Sequence, residues 1–169
     1  MKRFTMYFLI AFFMLPCGIA EADAWYQLVI YKCDKKNDYV MVEFKGAYNE
    51  EGEAMIKEKT ADMWDPWSLV SPDKSGQHIG KRQTIKKICT LSDGKYTVEI
   101  GPSPGNTDTL GECGAQMNAW TRIKREGKQI IHQKMGSCST KDKIVNKIVI
   151  KAGQREPLIS SMDWFDFYK

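Results

Sequence analysis

The chain has 169 residues, 27% of them charged and 43% hydrophobic, with a net charge of +4. These values exclude a disordered chain and one embedded in a membrane throughout. Glycine (13) and proline (6) are close to average, which excludes collagen-like and low-complexity architectures, and the mild positive charge does not by itself require nucleic acid.

The first segment reads as an export signal. Lys2 and Arg3 precede an unbroken apolar run, Met6–Leu15. A membrane-crossing helix needs about 20 apolar residues, and this run has the length of a signal-peptide core instead. Pro16 and Gly18 break it, and Ala20, Ala22 and Ala24 offer A-x-A cleavage sites. Cleavage is expected after Ala24, with Ala22 and Ala20 as alternatives. Cys17 raises the rival of lipidation, but Pro16 stands where a lipoprotein signal needs a small residue. The expected mature protein is therefore residues 25–169, one periplasmic or secreted domain without a transmembrane segment.

The mature chain reads as strands separated by turns. Trp25–Cys33 is rich in aromatic and β-branched residues, and Tyr39–Phe44 puts Val40, Val42 and Phe44 on one face. Asn49-Glu50-Glu51-Gly52 signals a turn, which makes Met55–Lys59 a strand returning from it; a short helix is the alternative, because Glu, Ala, Met and Lys are good helix formers. Met63–Ser75 is irregular. Arg82–Leu91 resumes as a strand and ends at Ser92-Asp93-Gly94. Tyr96–Ile100 alternates, with Tyr96, Val98 and Ile100 on one side. Gly101–Gly114, rich in Gly and Pro, reads as a long loop. Ala119–Arg125 and Lys128–Met135 form a hairpin about Glu126-Gly127, Ile144–Lys151 turns Ile144, Ile148 and Ile150 inward, and Leu158–Tyr168 closes the series. About seven to nine short strands without a long helix predict an all-β, mostly antiparallel sandwich or barrel.

Five cysteines are present. Cys17 falls in the signal, and Cys33, Cys89, Cys113 and Cys138 remain as an even set, which in an exported chain reads as two disulfides. The midpoint of Cys113 and Cys138 lies within about one residue of the Glu126-Gly127 turn, so these two are expected to face each other across the open end of the hairpin. Cys33–Cys89 then follows by elimination.

Motifs for chemistry are sparse. No C-x-x-C pair marks a zinc site. His78 and His132 stand apart, and no G-x-S-x-G occurs. Ser71-Pro72-Asp73-Lys74 fits S-x-x-K but lacks a helix start and a K-T-G partner. No catalytic, cofactor-binding or metal-binding residue is assigned. Acids such as Asp62 and Asp65 leave open a glycan hydrolase working with paired carboxylates.

Two segments are the candidate binding elements. Trp64, Asp65 and Trp67 surround Pro66 in what reads as a loop, and tryptophan is enriched in interaction hot spots. Pro102, Pro104 and Asn106 stiffen a second one. Charge is uneven as well. Residues 43–65 hold seven acids against three lysines, whereas residues 81–155 hold fifteen Lys and Arg against six acids. The basic stretch would suit an anionic envelope component or partner.

Trp25-Tyr26 followed by Cys33 resembles the aromatic-then-Cys opening of bacterial periplasmic lysozyme inhibitors. Ser92-Asp93-Gly94-Lys95-Tyr96 is the nearest stretch to their S-G-x-x-Y-type loop, with an inserted residue and one x fewer, so the resemblance is one of class and carries no residue roles. It implies a small exported β protein that acts by binding. The expectation is a non-enzymatic binding protein of the periplasm, of the inhibitor or immunity type, with a protein partner in the cell envelope and no nucleic-acid ligand.

Overall fold

The structure, a computed structural model, describes residues 25–69, 83–108, 116–136 and 144–162. It is a curled, mainly antiparallel nine-stranded sheet, a half-barrel. In chain order the strands are β1 (Trp25–Asp34), β2 (Tyr39–Tyr48), β3 (Met63–Trp64), β4 (Ile85–Leu91), β5 (Gly94–Asp108), β6 (Gln116–Arg125), β7 (Lys128–Met135), β8 (Ile144–Lys151) and β9 (Leu158–Met162). They lie in the order β3-β1-β2-β8-β7-β6-β5-β4, with β9 on β8. One pairing is parallel, β7 with β8 at Met135 and Val145.

Alternation builds the core, because successive side chains of a strand point to opposite faces. Val29 and Tyr31 of β1, Val40, Val42 and Phe44 of β2, Tyr96, Val98 and Ile100 of β5, Ala119 and Ile123 of β6, and Ile148 and Ile150 of β8 fill one interior cluster. The inward turn expected of Ile144, Ile148 and Ile150 is present, all three being buried. The β6–β7 hairpin turns at Glu126-Gly127 with φ of 46° and 78°. Two successive positive φ values define the two-residue turn whose twist matches a hairpin, and Gly127 adopts its share without strain.

The curl brings β1 and β4 together from opposite parts of the strand order, and the Cys33–Cys89 disulfide joins them with Cα atoms 5.6 Å apart. Lys87 of β4 reinforces this seam. Its Nζ lies 2.8 Å from Asp62 Oδ1, just before β3, and 5.0 Å from the centre of the Trp64 ring. The expected Cys113–Cys138 pair lies outside the described residues.

Two expectations need correction. Asn49–Lys57 is an α-helix, α1, rather than a turn leading to a strand at Met55–Lys59. Gly52 and Met55, three apart, form its buried face, and the ring of Tyr26 lies where a side chain at position 52 would project. The helix lies across β1 and β2. Gly101–Asp108, expected as loop, continues β5 instead. Its ladder to β6 is broken between Pro102 and Thr107, an irregularity that absorbs prolines unable to donate a ladder bond.

Candidate functional site

Of the two candidate binding segments, the second lies within the sheet and the first runs from strand β3 into a short 3-10 helix. Trp64 pairs with Val29 in β3 and packs partly buried against the core. Pro66 and Leu69 are buried in the short 3-10 helix Pro66–Leu69, which the Asp65 carbonyl starts by accepting from the Ser68 N–H (2.9 Å) and hydroxyl (2.6 Å). Trp67 belongs to the same helix. Pro102 is buried in β5, and Pro104 and Asn106 fall within that strand. Trp64 thus lies beside the β1–β4 seam and Trp67 in a helix set against β1, β5 and β6, whereas Pro102, Pro104 and Asn106 lie along β5, the last two where its ladder to β6 is broken.

A surface that sequence reading left unassembled lies on the outer face of β4–β7. Residues directly opposite in neighbouring antiparallel strands share a face. Register puts Lys86, Glu99, Arg122 and His132 in one row across the four strands. The adjoining row on one side is Ile88, Thr97, Lys124 and Gln129, and on the other Gly101, Trp120 and Lys134. Thr90 and Lys95 continue the same face. Thus Lys86, Lys95, Arg122, Lys124 and Lys134 surround one interior acid of the face, Glu99. Arg122 Nη1 and Lys124 Nζ each donate to a different oxygen of Glu99, both at 3.3 Å. Lys86 and Lys95 have no ion-pair partner among the described residues.

Trp120 is the aromatic centre of this face. A Cβ on Gly101 would stand 2.4 Å from Trp120 Cζ2, so the indole lies directly on the Gly101 backbone. The guanidinium of Arg122 sits 5.1 Å from the Trp120 ring centre, and the His132 ring meets it edge-on at 6.0 Å. Ile88 on the same face is 56% exposed, and Ile130, at the β7 irregularity, is 42% exposed. Helix α1 covers β1 and β2, but no described element covers this side of β4–β7.

Three carboxylates, Asp34, Asp38 and Asp93, are committed to structure. Asp93 anchors the turns at one end of the sheet. It accepts from the Tyr96 hydroxyl (2.8 Å), Arg125 Nη1 (3.0 Å) and the Gly153 N–H (3.0 Å). Burial raises its pKa, but the bonds from Gly153, Tyr96 and Arg125 outweigh burial and leave the carboxyl below its ordinary range. Hydrogen bonds from the Asn37 side chain and N–H hold the carboxyl of Asp34 far below that range. A general acid for glycan cleavage needs the opposite shift. Next to Asp93, Asp38 accepts from the Ser92 N–H (2.9 Å) and hydroxyl, tying the β1–β2 turn to the β4–β5 turn.

Among the described residues no group of three or more His, Cys, Asp and Glu side chains could hold a metal ion. None of their helices is long and apolar enough to cross a membrane. No protein-family model, curated protein or solved structure matches the chain.

Proposed function

We propose that the chain is an exported, non-enzymatic binding protein of the cell envelope, of the inhibitor or immunity type, whose partner is an envelope-targeting enzyme or toxin. The observation that carries this reading is the outer face of β4–β7, which no described element covers. It combines Trp120, Arg122 and exposed Ile88 with Lys86 and Lys95, which have no ion-pair partner among the described residues. Trp and Arg are enriched where interfaces concentrate their energy. A sheet closed by a disulfide holds such side chains without an ordering step on binding, which removes part of the entropy cost of association. The cations steer an acidic partner and fix its register. The alternative, a glycan hydrolase with paired carboxylates, has less support, because Asp62 is engaged by Lys87 and Asp34 and Asp93 are held ionised.

Capture of partners from periplasmic extract by tagged mature protein tests the proposal. Wild type should retain an enzyme or toxin and lower its activity. Arg122→Glu with Lys124→Glu should abolish both effects without lowering the melting temperature by more than a few degrees. Failure to retain any partner, with turnover of cell-wall fragments that Asp62→Asn or Asp65→Asn abolishes, would establish the hydrolase instead.

A further inference from the structure

On the binding reading above, we infer that the partner presents an acidic, amphipathic protein segment, one carboxylate of which displaces Glu99 between Arg122 and Lys124. The clamp on Glu99 is slack. Both contacts are 3.3 Å long, against about 2.7–2.9 Å for well-made charge-assisted bonds. Glu99 engages the guanidinium through Nη1, and Arg122 Nε has no acceptor among the described residues. Side-chain exposures of 33% for Arg122 and 29% for Lys124 leave both cations reachable from solvent. The Glu99 side chain is 15% exposed, so it must turn outward to solvent as it gives way, while the incoming carboxylate keeps both cations paired.

The neighbours decide the class of anion. A polyphosphate or sulfated polymer needs only an array of cations. Here exposed Ile88 lies between Lys86 and Thr90 on the same face of β4, and Trp120 lies flat beside Arg122. Apolar side chains interleaved with cations match a protein segment that alternates acidic and apolar residues. Glu99 then acts as an internal placeholder that keeps Arg122 and Lys124 together until a partner carboxylate arrives.

The test measures binding of a glutamate–tyrosine random copolymer, poly-L-glutamate, dextran sulfate and polyphosphate to the full mature protein by biolayer interferometry. The glutamate–tyrosine copolymer should bind most tightly per charge. Arg122→Gln with Lys124→Gln should weaken it at least about tenfold. Glu99→Gln, which removes the internal competitor, should tighten it up to about fivefold, about 1 kcal/mol for a partly exposed ion pair. Circular dichroism melts of each variant establish that it is folded, and Lys86→Gln offers a second weakening variant that leaves the clamp intact. Equal or tighter binding of dextran sulfate or polyphosphate would overturn the inference in favour of a non-protein polyanion. Weaker binding by Glu99→Gln would overturn the exchange and make Glu99 a positioning residue. If a captured enzyme binds wild type, Arg122→Gln/Lys124→Gln and Glu99→Gln alike, the carboxylate site is wrong while the binding reading stands. If the polymers behave as expected but no envelope protein is captured, the site stands and the inhibitor reading falls.

Discussion

Reducing the Cys33–Cys89 disulfide should detach β4 from β1 before it unfolds the rest of the sheet. The bridge spans 56 residues of sequence. Loop-closure entropy for that separation corresponds to about 4 kcal/mol at 25 °C. The other links across the seam are smaller. The Lys87–Asp62 pair is more than half exposed on its Asp62 side and is worth about 0–1 kcal/mol. The Lys87–Trp64 contact adds about 0.5–1 kcal/mol. Without the disulfide the seam keeps these contacts, the Asp38–Ser92 bonds and the core packing of Leu91, so the β4 edge should open more readily than the rest of the sheet, although β4 remains hydrogen-bonded to β5. Urea unfolding of oxidised and reduced protein gives the global difference, and hydrogen exchange of Ile85–Leu91 gives the local one. Reduction rather than mutation is the appropriate perturbation, because Cys89 is 1% exposed and its replacement would add a packing change. The expected result is a loss of about 3–4 kcal/mol with faster exchange in β4 than in β6. A loss below about 1 kcal/mol, or equal protection of β4 and β6, would refute the seam argument.

Four further outcomes follow from Tyr31, Asp93 and Gly101. Tyr31→Phe should raise stability by about 1–3 kcal/mol, since the Tyr31 hydroxyl is buried with no partner among the described residues; destabilisation in urea unfolding would contradict this. Burial and then the charge of Asp62 push the Tyr31 pKa up to about 12, so above pH 10 the unfolded state ionises before the folded state does. Wild type should therefore lose up to about 2 kcal/mol relative to Tyr31→Phe between pH 10 and pH 12, read from paired melts. The Asp93 pKa is lowered on folding, so its stabilisation is present above the unfolded value of about 3.9 and is lost as pH falls through the folded value. Asp93→Asn should cost about 1–3 kcal/mol at pH 7 and flatten the acid limb of the stability profile, and an unchanged limb would remove Asp93 from its anchoring role. Gly101→Ala should cost about 1–3 kcal/mol and shift tryptophan emission, because the new methyl would stand 2.4 Å from Trp120 Cζ2. Combining it with Trp120→Ala should recover much of that loss, and strict additivity would show that the two residues do not touch.

The strands were legible wherever alternation was clean and the turn chemistry agreed. Val40, Val42 and Phe44, the Tyr96–Ile100 run and the Glu126-Gly127 hairpin needed only a period of two and a turn signal. Helix α1 was harder to read because Asn49-Glu50-Glu51-Gly52 carries two turn formers. Gly52 stands there for close approach to the Tyr26 ring, a tertiary reason that local pattern does not show. The extension of β5 was hidden by Pro102 and Pro104, which argue against a strand until the irregular ladder to β6 is known. The outer face was legible only as composition. A surplus of Lys and Arg over residues 81–155 is visible in the sequence. The row Lys86, Glu99, Arg122, His132 exists only once three strand registers are fixed, and a slip of one residue would dismantle it. Trp120 lying on Gly101 could be found only from the same register.

The most direct test of the outer face of β4–β7 as the binding surface is the affinity of a purified captured partner for wild type and for Arg122→Glu with Lys124→Glu, measured at low and high salt. The account predicts at least about 30-fold weaker binding by the variant and a marked weakening of the wild-type complex by salt. Equal affinity of the two proteins, insensitive to salt, would place the binding surface elsewhere on the molecule.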